Sequence, residues 1–525
     1  MRASIRKQTL VTFLFIASLL SFHVINNLLW LSFDNSYSGC DVLNHLTRQL
    51  RFYYGMQNVF SMPLPCIEKI QRIFWLFRFS DNVSWPPFTY LVASFFNNVF
   101  GMSPLVSIMT NILYLGILVV ATYSIGRQMA DIETGFLAAF FVSLYPAIYG
   151  LSRKFGLDLP LSALVAFSMQ LFFINKSFHN RYICILLGIV MGCGTLIKIQ
   201  YLIFVSVPFF YVSLPVFIRL YKSRKRKLNR VKTLYLNRGI NVIICLGIAA
   251  VICGWWLLSN IGLILKSLFA HSSGNIETID WQLRASLSGG RWLLFYVLTI
   301  IKNISPIFAV TFILSLMFLR KSKLKNKRLF LLWLIIPWIF FTFLPVKRER
   351  YLLAILPVFA LISALGIARI KRSEIKKLLG VGLGFIGMLQ LFVCSYGIND
   401  FNCMKTSMVH VPQKNNAEEI TKYFFNDTAL ISGPIVRIIW DDKIVARDTV
   451  GLLEYYTALC FFPERLAYSE CIDDFKAIQE PHFLIIPEEL FDEGMVARYK
   501  LLKKALLKPG SVRFLLCQSV LKESG

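Results

Sequence analysis

Residues 201–219 read YLIFVSVPFFYVSLPVFIR, residues 220–238 read LYKSRKRKLNRVKTLYLNR, and residues 239–261 read GINVIICLGIAAVICGWWLLSNI. At about 1.5 Å of rise per residue, each flanking segment is long enough to cross a hydrocarbon core of roughly 30 Å as an α-helix. Between them, Arg219–Arg238 carries nine Lys and Arg and no acid. Short basic segments beside membrane spans stay on the cytoplasmic side. The stretch is therefore a membrane hairpin with its turn inside the cell, and it sets the class for the rest of the chain.

Working outward, comparable apolar stretches occur at 10–31, 103–126, 134–150, 159–175, 181–197, 201–219, 239–261, 304–319, 329–345, 351–369 and 379–396. They predict an α-helical polytopic membrane protein with about 11 transmembrane helices. Composition agrees: 56% of the 525 residues are hydrophobic and 16% charged, and the mean hydropathy is +0.59. An ordinary soluble enzyme is excluded. The formal charge of +27 would suggest a nucleic-acid partner if the cations formed one face among aromatics. Instead many of them sit in the N-terminal segment and in 219–238, 320–328 and 369–377, so the excess is a topology signal and no nucleic acid is expected. The N-terminus is then cytoplasmic. Residues 32–102, 151–158, 198–200, 262–303, 346–350 and the tail after 397 lie outside. The first stretch follows Arg2, Arg6 and Lys7 as a secretory leader would. No small-x-small cleavage site ends it and Asn26, Asn27 and Trp30 follow, so it is read as a retained helix.

The sequence is invested in the outer face. In the first outer loop, 32–102, Val42–Tyr54 and Ile67–Phe79 have helical apolar spacing and suit the membrane interface. Trp85-Pro86-Pro87 ends regular structure and opens Phe88–Phe100, another boundary segment. Trp281–Ile301 reads as an interfacial helix that stops before Ser305-Pro306, which keeps Lys302 out of an over-long span. After Tyr396 the pattern turns soluble. Apolar runs at 429–431, 435–439 and 483–486 alternate with helical stretches at 417–425, 448–458 and 492–507, which predicts a small extracytoplasmic α/β domain over 398–525 beside a membrane domain over 1–397. Six cysteines (Cys40, Cys66, Cys403, Cys460, Cys471, Cys517) fall on the outer side, where an oxidising compartment would allow disulfides of undetermined connectivity.

Three groups carry chemical interest. Lys347-Arg348-Glu349-Arg350-Tyr351 places cations in a very short outer loop, against the charge rule. They read either as snorkelling side chains at a span end or as a phosphate site, to which Arg offers paired donors and Lys a point charge. Asp41 opens the first interfacial helix, with His45 one turn on and Asp34 seven residues earlier. It reads either as a helix cap or as a base that deprotonates an attacking hydroxyl. Asp158, before Pro160 at the mouth of a span, has the same two readings. Lys198, in an outer turn, suits a phosphate or a lipid headgroup. Asp41, His45 and Asp158 are the residues to which a divalent metal ion could bind, with Asp34 a weaker addition.

Taken together, these segments resemble the GT-C superfamily of glycosyltransferases that use polyprenyl-phosphate sugars, in the branch of the dolichyl-phosphate-mannose protein mannosyltransferases and the bacterial lipid A aminoarabinose transferases. Asp41-Val42-Leu43-Asn44-His45 resembles the acidic motif that opens the first juxtamembrane helix, and Trp85-Pro86-Pro87-Phe88-Thr89-Tyr90 the Pro-Pro-Leu-x-Tyr segment. Leu157-Asp158-Leu159-Pro160 resembles the second acidic motif, and Lys347-x-x-Arg350-Tyr351 the segment that holds the lipid phosphate. The likeness runs over residues 1–397. Val42 stands where the family often has Glu, so one metal or acceptor ligand is absent.

The resemblance implies Asp41 as general base, Asp158 as the acid that orients acceptor or metal, and Lys347 and Arg350 as stabilisers of the departing lipid phosphate, with Tyr351 supporting them; Lys198 joins these donor-phosphate candidates from its position in the outer turn alone. His45 and Asp34, by their closeness to Asp41 in sequence, are the further candidates for acceptor or metal. It further implies inversion at the anomeric carbon, membrane lipids as surroundings, and a glycan, lipid or protein as acceptor. Lacking the long hydrophilic central loop of the protein mannosyltransferases, the chain is expected in a bacterial inner membrane. The alternative is a secondary transporter or flippase for an anionic lipid or sugar. Against it, the spans show no inverted repeat and almost no intramembrane acid.

Overall fold

Each of the eleven apolar stretches carries an α-helix in the computed structural model. The structure describes residues 2–397 apart from 35, 38–40, 79–84, 226–228, 274–290, 320–325 and 345, then 406, 408–412 and three strands near the C-terminus. Helices follow from the solvent, because in hydrocarbon every backbone N–H and C=O must be paired within the chain.

In order these are α1 Arg2–Phe33, α2 Val42–Ser61, α3 Cys66–Arg78, α4 Phe88–Phe100, α5 Pro104–Met109, α6 Asn111–Met129, α7 Ile132–Leu144, α8 Pro146–Ser152 and α9 Asp158–Ile174. There follow α10 Arg181–Thr195, α11 Tyr201–Lys225, α12 Asn229–Ser259, α13 Ile261–Ser273, α14 Phe295–Ile304, α15 Pro306–Leu319, α16 Lys327–Phe343, a 3-10 segment Glu349–Ile355, α17 Leu356–Ala368 and α18 Ser373–Tyr396. The interfacial helices expected at 42–54, 67–79 and 88–100 are α2, α3 and α4. Cys66, at the start of α3, is a free thiol.

Among the described residues, six helices are long and apolar enough to cross a membrane, or eight if each of two bent pairs counts as one span. Both bends sit at an X-Pro step. α7 and α8 meet at 66° before Pro146, and α14 and α15 at 109° before Pro306. Proline supplies no N–H to the preceding turn, and at the second break Ser305 takes φ +81. The break follows the last turn of α14, which carries Lys302, so the segment divides where the lysine would otherwise fall inside a span.

The chain clusters into two units, residues 1–31 with 74–411 and residues 32–73 with 412–525. At the core of the first lies the segment Glu349–Ala368, 94% of whose most apolar window is buried. Its α17 part packs against α7 and α15, and a helix apolar on every side has no face to offer solvent. α10 packs on α12 through Gly188 and Gly192. A Cβ at Gly188 would stand 2.5 Å from the Cys245 carbonyl oxygen, and one at Gly192 2.7 Å from Ile252 Cβ. Small residues four apart allow this backbone approach.

In the second unit, β1 Val436–Ile438, β2 Phe483–Ile486 and β3 Arg513–Leu516 form a parallel sheet in that order. Val436 pairs with Phe483, and Phe483 with Arg513. Two strands coincide with the expected runs at 435–439 and 483–486. The third lies in a shorter apolar run that period alone does not distinguish. The run at 429–431 and the helical stretches at 417–425, 448–458 and 492–507 lie outside the described residues.

Candidate active site

Asp158 is the first residue of α9, where a carboxylate meets the positive end of the helix dipole. The turn before it is tied down by Asn111, whose Nδ2 donates to the carbonyls of Leu151 at 3.1 Å and Lys154 at 2.6 Å. Phe155 in that turn is fully buried. The carboxylate therefore emerges from a rigid base.

Two cations from other parts of the chain converge on it. Lys198 Nζ donates to Asp158 Oδ1 at 2.6 Å. Lys198 occupies the turn between α10 and α11, held by backbone bonds from its N–H to Gly194 O and from Tyr201 N–H to its own carbonyl. Arg350 Nη1 lies 3.8 Å from Asp158 Oδ2. It belongs to the 3-10 segment after α16, whose entry residue Arg348 is extended. The Asp158 side chain is 9% exposed, Lys198 19% and Arg350 24%. One acid with two cations is a net positive cluster, its cations the more open members. Such a cluster suits an anion with paired acceptor oxygens, and the acid limits how many positive charges face it.

Tyr351, next to Arg350, is buried and packs on the Phe341 ring at 5.1 Å. Lys347 is also buried. Its ammonium donates to the carbonyls of Phe341, Thr342 and Leu344, the C-terminal groups of α16 that have no partner within the helix. It also lies over the rings of Trp292 at 5.7 Å and Tyr296 at 5.9 Å. Burial pushes its pKa down to about 8. The lysine thus caps a helix and fixes the entry to the Arg350 segment.

The remaining expected residues belong to the second unit. Asp41 stands at the N-cap position of α2, but its side chain makes no capping hydrogen bond there. The His45 amide donates to the Asp41 carbonyl at 2.9 Å. The Asp34 carboxylate accepts from Ser36 Oγ at 2.8 Å. Among the described residues, no three His, Cys, Asp or Glu side chains are grouped to hold a metal ion. At Asp158 the two neighbouring cations oppose a divalent ion electrostatically, so this carboxylate does not fit as a metal ligand.

Arg153, five residues before Asp158, holds a structural position that its sequence neighbourhood does not indicate. It is buried, donating through Nε to Asn27 Oδ1 at 3.1 Å and through Nη1 to Ser395 Oγ at 2.8 Å. It lies over the rings of Trp30 and Tyr149. Burial pulls its pKa down to about 10. The available signal was Asn26, Asn27 and Trp30, polar and amphipathic groups inside an otherwise apolar first span.

The profile of the Dolichyl-phosphate-mannose-protein mannosyltransferase family matches residues 84–256, and that of the Alg9-like mannosyltransferase family matches residues 284–428. No curated protein matches the chain by sequence. Among solved structures, ArnT from Cupriavidus metallidurans bound to undecaprenyl phosphate is similar over 86% of this chain and 76% of that one, at 14% identity and TM-score 0.49. The apo oligosaccharyltransferase of Archaeoglobus fulgidus is similar over 84% of this chain and 64% of that one, at 12% identity and TM-score 0.48. The chain thus spans less than two thirds of the archaeal structure. Two mannosyltransferase profiles, each matching about a third of the chain, follow one another along one multi-span helical chain, so the protein is a membrane glycosyltransferase similar to the GT-C superfamily.

Proposed function

We propose that the protein moves a sugar from a polyprenyl-phosphate donor to an acceptor hydroxyl or phosphate at the non-cytoplasmic face, with inversion. The observation that carries this is the grouping of Asp158 at the start of α9, Lys198 in the turn before α11 and Arg350 at the start of the 349–355 segment. Arg350 and Lys198 hold the donor phosphate and stabilise the charge it gains as the glycosidic bond breaks, where most of the rate is won. Asp158 orients those cations and the acceptor. Asp41 takes the acceptor proton. Lys347 and Tyr351 hold the Arg350 segment, and Lys347 adds positive potential beside the phosphate. His45 and Asp34 stand near Asp41 in sequence and serve the acceptor side.

The same reading takes all eleven stretches as spans, with the N-terminus cytoplasmic. Residues 1–397 form the membrane domain and 398–525 an extracytoplasmic α/β domain, in a bacterial inner membrane. The parallel order of β1, β2 and β3 supports the α/β reading, because parallel neighbours need crossover connections and residues 439–482 and 487–512 are long enough for them.

The experiment is sugar release from a panel of radiolabelled polyprenyl-phosphate sugars by the protein in lipid nanodiscs, comparing wild type with Asp41→Asn and Arg350→Ala, with and without chelator. Consumption of one donor by wild type and by neither variant is the expected result. Inertness of wild type toward every donor would overturn the reading. The chelator arm decides whether a metal takes part.

A further inference from the structure

The helices that begin at the Asp158 cluster end at a second, differently built feature. α9 runs from Asp158 to Ile174, and α11 starts three residues after Lys198 and runs to Lys225. α16 begins at Lys327 and ends before Lys347. Their far ends, with the start of α12, enclose a cavity of about 200 Å³. Its polar rim includes Lys176, Ser177, Arg219 and Tyr235, while the exposed Tyr211 and Pro215 belong to its apolar wall. Among the described residues no carboxylate lines it, and residues 174–181, 219–238 and 320–328 contain no Asp or Glu.

The rim is preorganised. Arg219 Nη1 donates to Tyr235 Oη at 2.9 Å, and the Tyr235 ring has the Arg219 guanidinium 5.8 Å from its centroid and that of Arg238 at 5.1 Å. Two guanidiniums on one ring, with no acid in these segments, raise a positive potential that an anion relieves. The turn bearing Lys176 and Ser177 is pinned as well. Asn175 Nδ2 donates to Asn180 O at 3.1 Å, and Asn241 Nδ2 to Phe178 O at 2.8 Å. Phe178 is held at φ +54 and packs on Phe209.

From this we infer that the cavity is a binding site for an anionic phospholipid of the cytoplasmic leaflet. Its phosphate rests on Lys176, Arg219 and Tyr235, and the start of an acyl chain lies along the exposed Tyr211 and Pro215. Charge and shape both favour this occupant: a cationic rim beside an apolar wall matches an amphiphile, and these segments are the ones that the Lys/Arg bias assigns to the anionic inner leaflet. The site is separate from the Asp158 cluster, since α9, α11 and α16 each run between the two.

The test uses the full chain and reads lipid retention, which does not depend on transfer activity. Wild type is extracted from vesicles of phosphatidylglycerol and phosphatidylcholine, and lipid retained after delipidation is counted by native mass spectrometry. Wild type is expected to retain phosphatidylglycerol over phosphatidylcholine, and Lys176→Gln with Arg219→Gln to lose about tenfold or more of it, since each cation adds to the attraction. The charge-matched control Lys371→Gln with Arg372→Gln should retain it as wild type does. If the double variant fails to fold, Arg219→Lys keeps the charge without the paired donors and should give an intermediate loss. Equal loss in control and double variant, no preference for phosphatidylglycerol, or full displacement by millimolar inorganic phosphate would each overturn the proposal.

Discussion

Replacing Asp158 by Asn separates a functional carboxylate from a merely structural one. The substitution keeps shape and removes one negative charge from between two cations. The 2.6 Å contact from Lys198 keeps an acceptor in the Asn amide oxygen but loses the carboxylate charge; charge-assisted bonds contribute about 1.5–3 kcal/mol, and the retained acceptor and partial exposure of Lys198 put the loss toward the lower end. The Arg350 contact at 3.8 Å is beyond hydrogen-bonding reach and adds less than about 1 kcal/mol. Stability therefore falls by about 1–3 kcal/mol, which leaves a folded protein. Donor binding moves the other way. With the acid gone, Lys198 and Arg350 present a larger net positive charge to the lipid phosphate, so KM for the donor stays level or falls. Turnover drops by about 100-fold or more, because the group that orients acceptor and cations is missing. The assay is the release of labelled lipid phosphate in nanodiscs over a range of donor concentration, with thermal unfolding alongside. A folded variant whose kcat lies within a few-fold of wild type would refute the reasoning. So would a loss confined to KM.

Lys347 predicts a pH dependence of opposite signs. With its pKa lowered from 10.5 to about 8, it loses its charge as pH rises through 8, so transfer should decline there; in Lys347→Arg the decline should move to much higher pH. Stability should rise over the same window, from about pH 8 to 10.5, because there the unfolded state binds the additional proton, and thermal unfolding measured against pH checks this. Arg153→Lys should lower stability by about 1.5–3 kcal/mol, since one ammonium cannot reach both Asn27 and Ser395 as the guanidinium fork does; unfolding with no loss would show that the fork contributes nothing. Gly192→Leu should destabilise by at least about 1–3 kcal/mol through overpacking against α12, whereas Gly247→Ala, with open space around its Cα, should be neutral or slightly stabilising.

The helices and their order were legible in the chain. Apolar stretches of spanning length can only be helices in hydrocarbon. Pro306 and the Pro86-Pro87 pair mark real breaks because proline withdraws a donor, whereas the reading of 134–150 as one span ran through the bend before Pro146. α2 and α4 began at the residues that periodicity indicated, Val42 and Phe88. The basic loops at 219–238 and 320–328 announced that their helix ends share a face, and the cavity that collects Phe172, Arg219, Tyr235 and Asn326 brings those ends together. The candidates Asp158, Lys198 and Arg350 were each nameable because a charge beside an apolar span is costly without a reason.

What the chain did not disclose was which of those charges meet. Asp158, Lys198 and Arg350 lie 40 and 152 residues apart along the sequence, and no local pattern encodes a contact at that separation. Nor does the sequence distinguish Lys347 from Arg350 within one cluster. In three dimensions Lys347 turns back onto three carbonyls of α16 while Arg350 reaches Asp158. The same holds for Arg153, whose partners Asn27 and Ser395 come from near the two ends of the membrane helices. Local sequence determines where helices start, stop and bend, because solvent and backbone chemistry act residue by residue. Which charge faces which is decided only when the helices pack, because Coulomb attraction and hydrogen bonding depend on distances that packing alone sets.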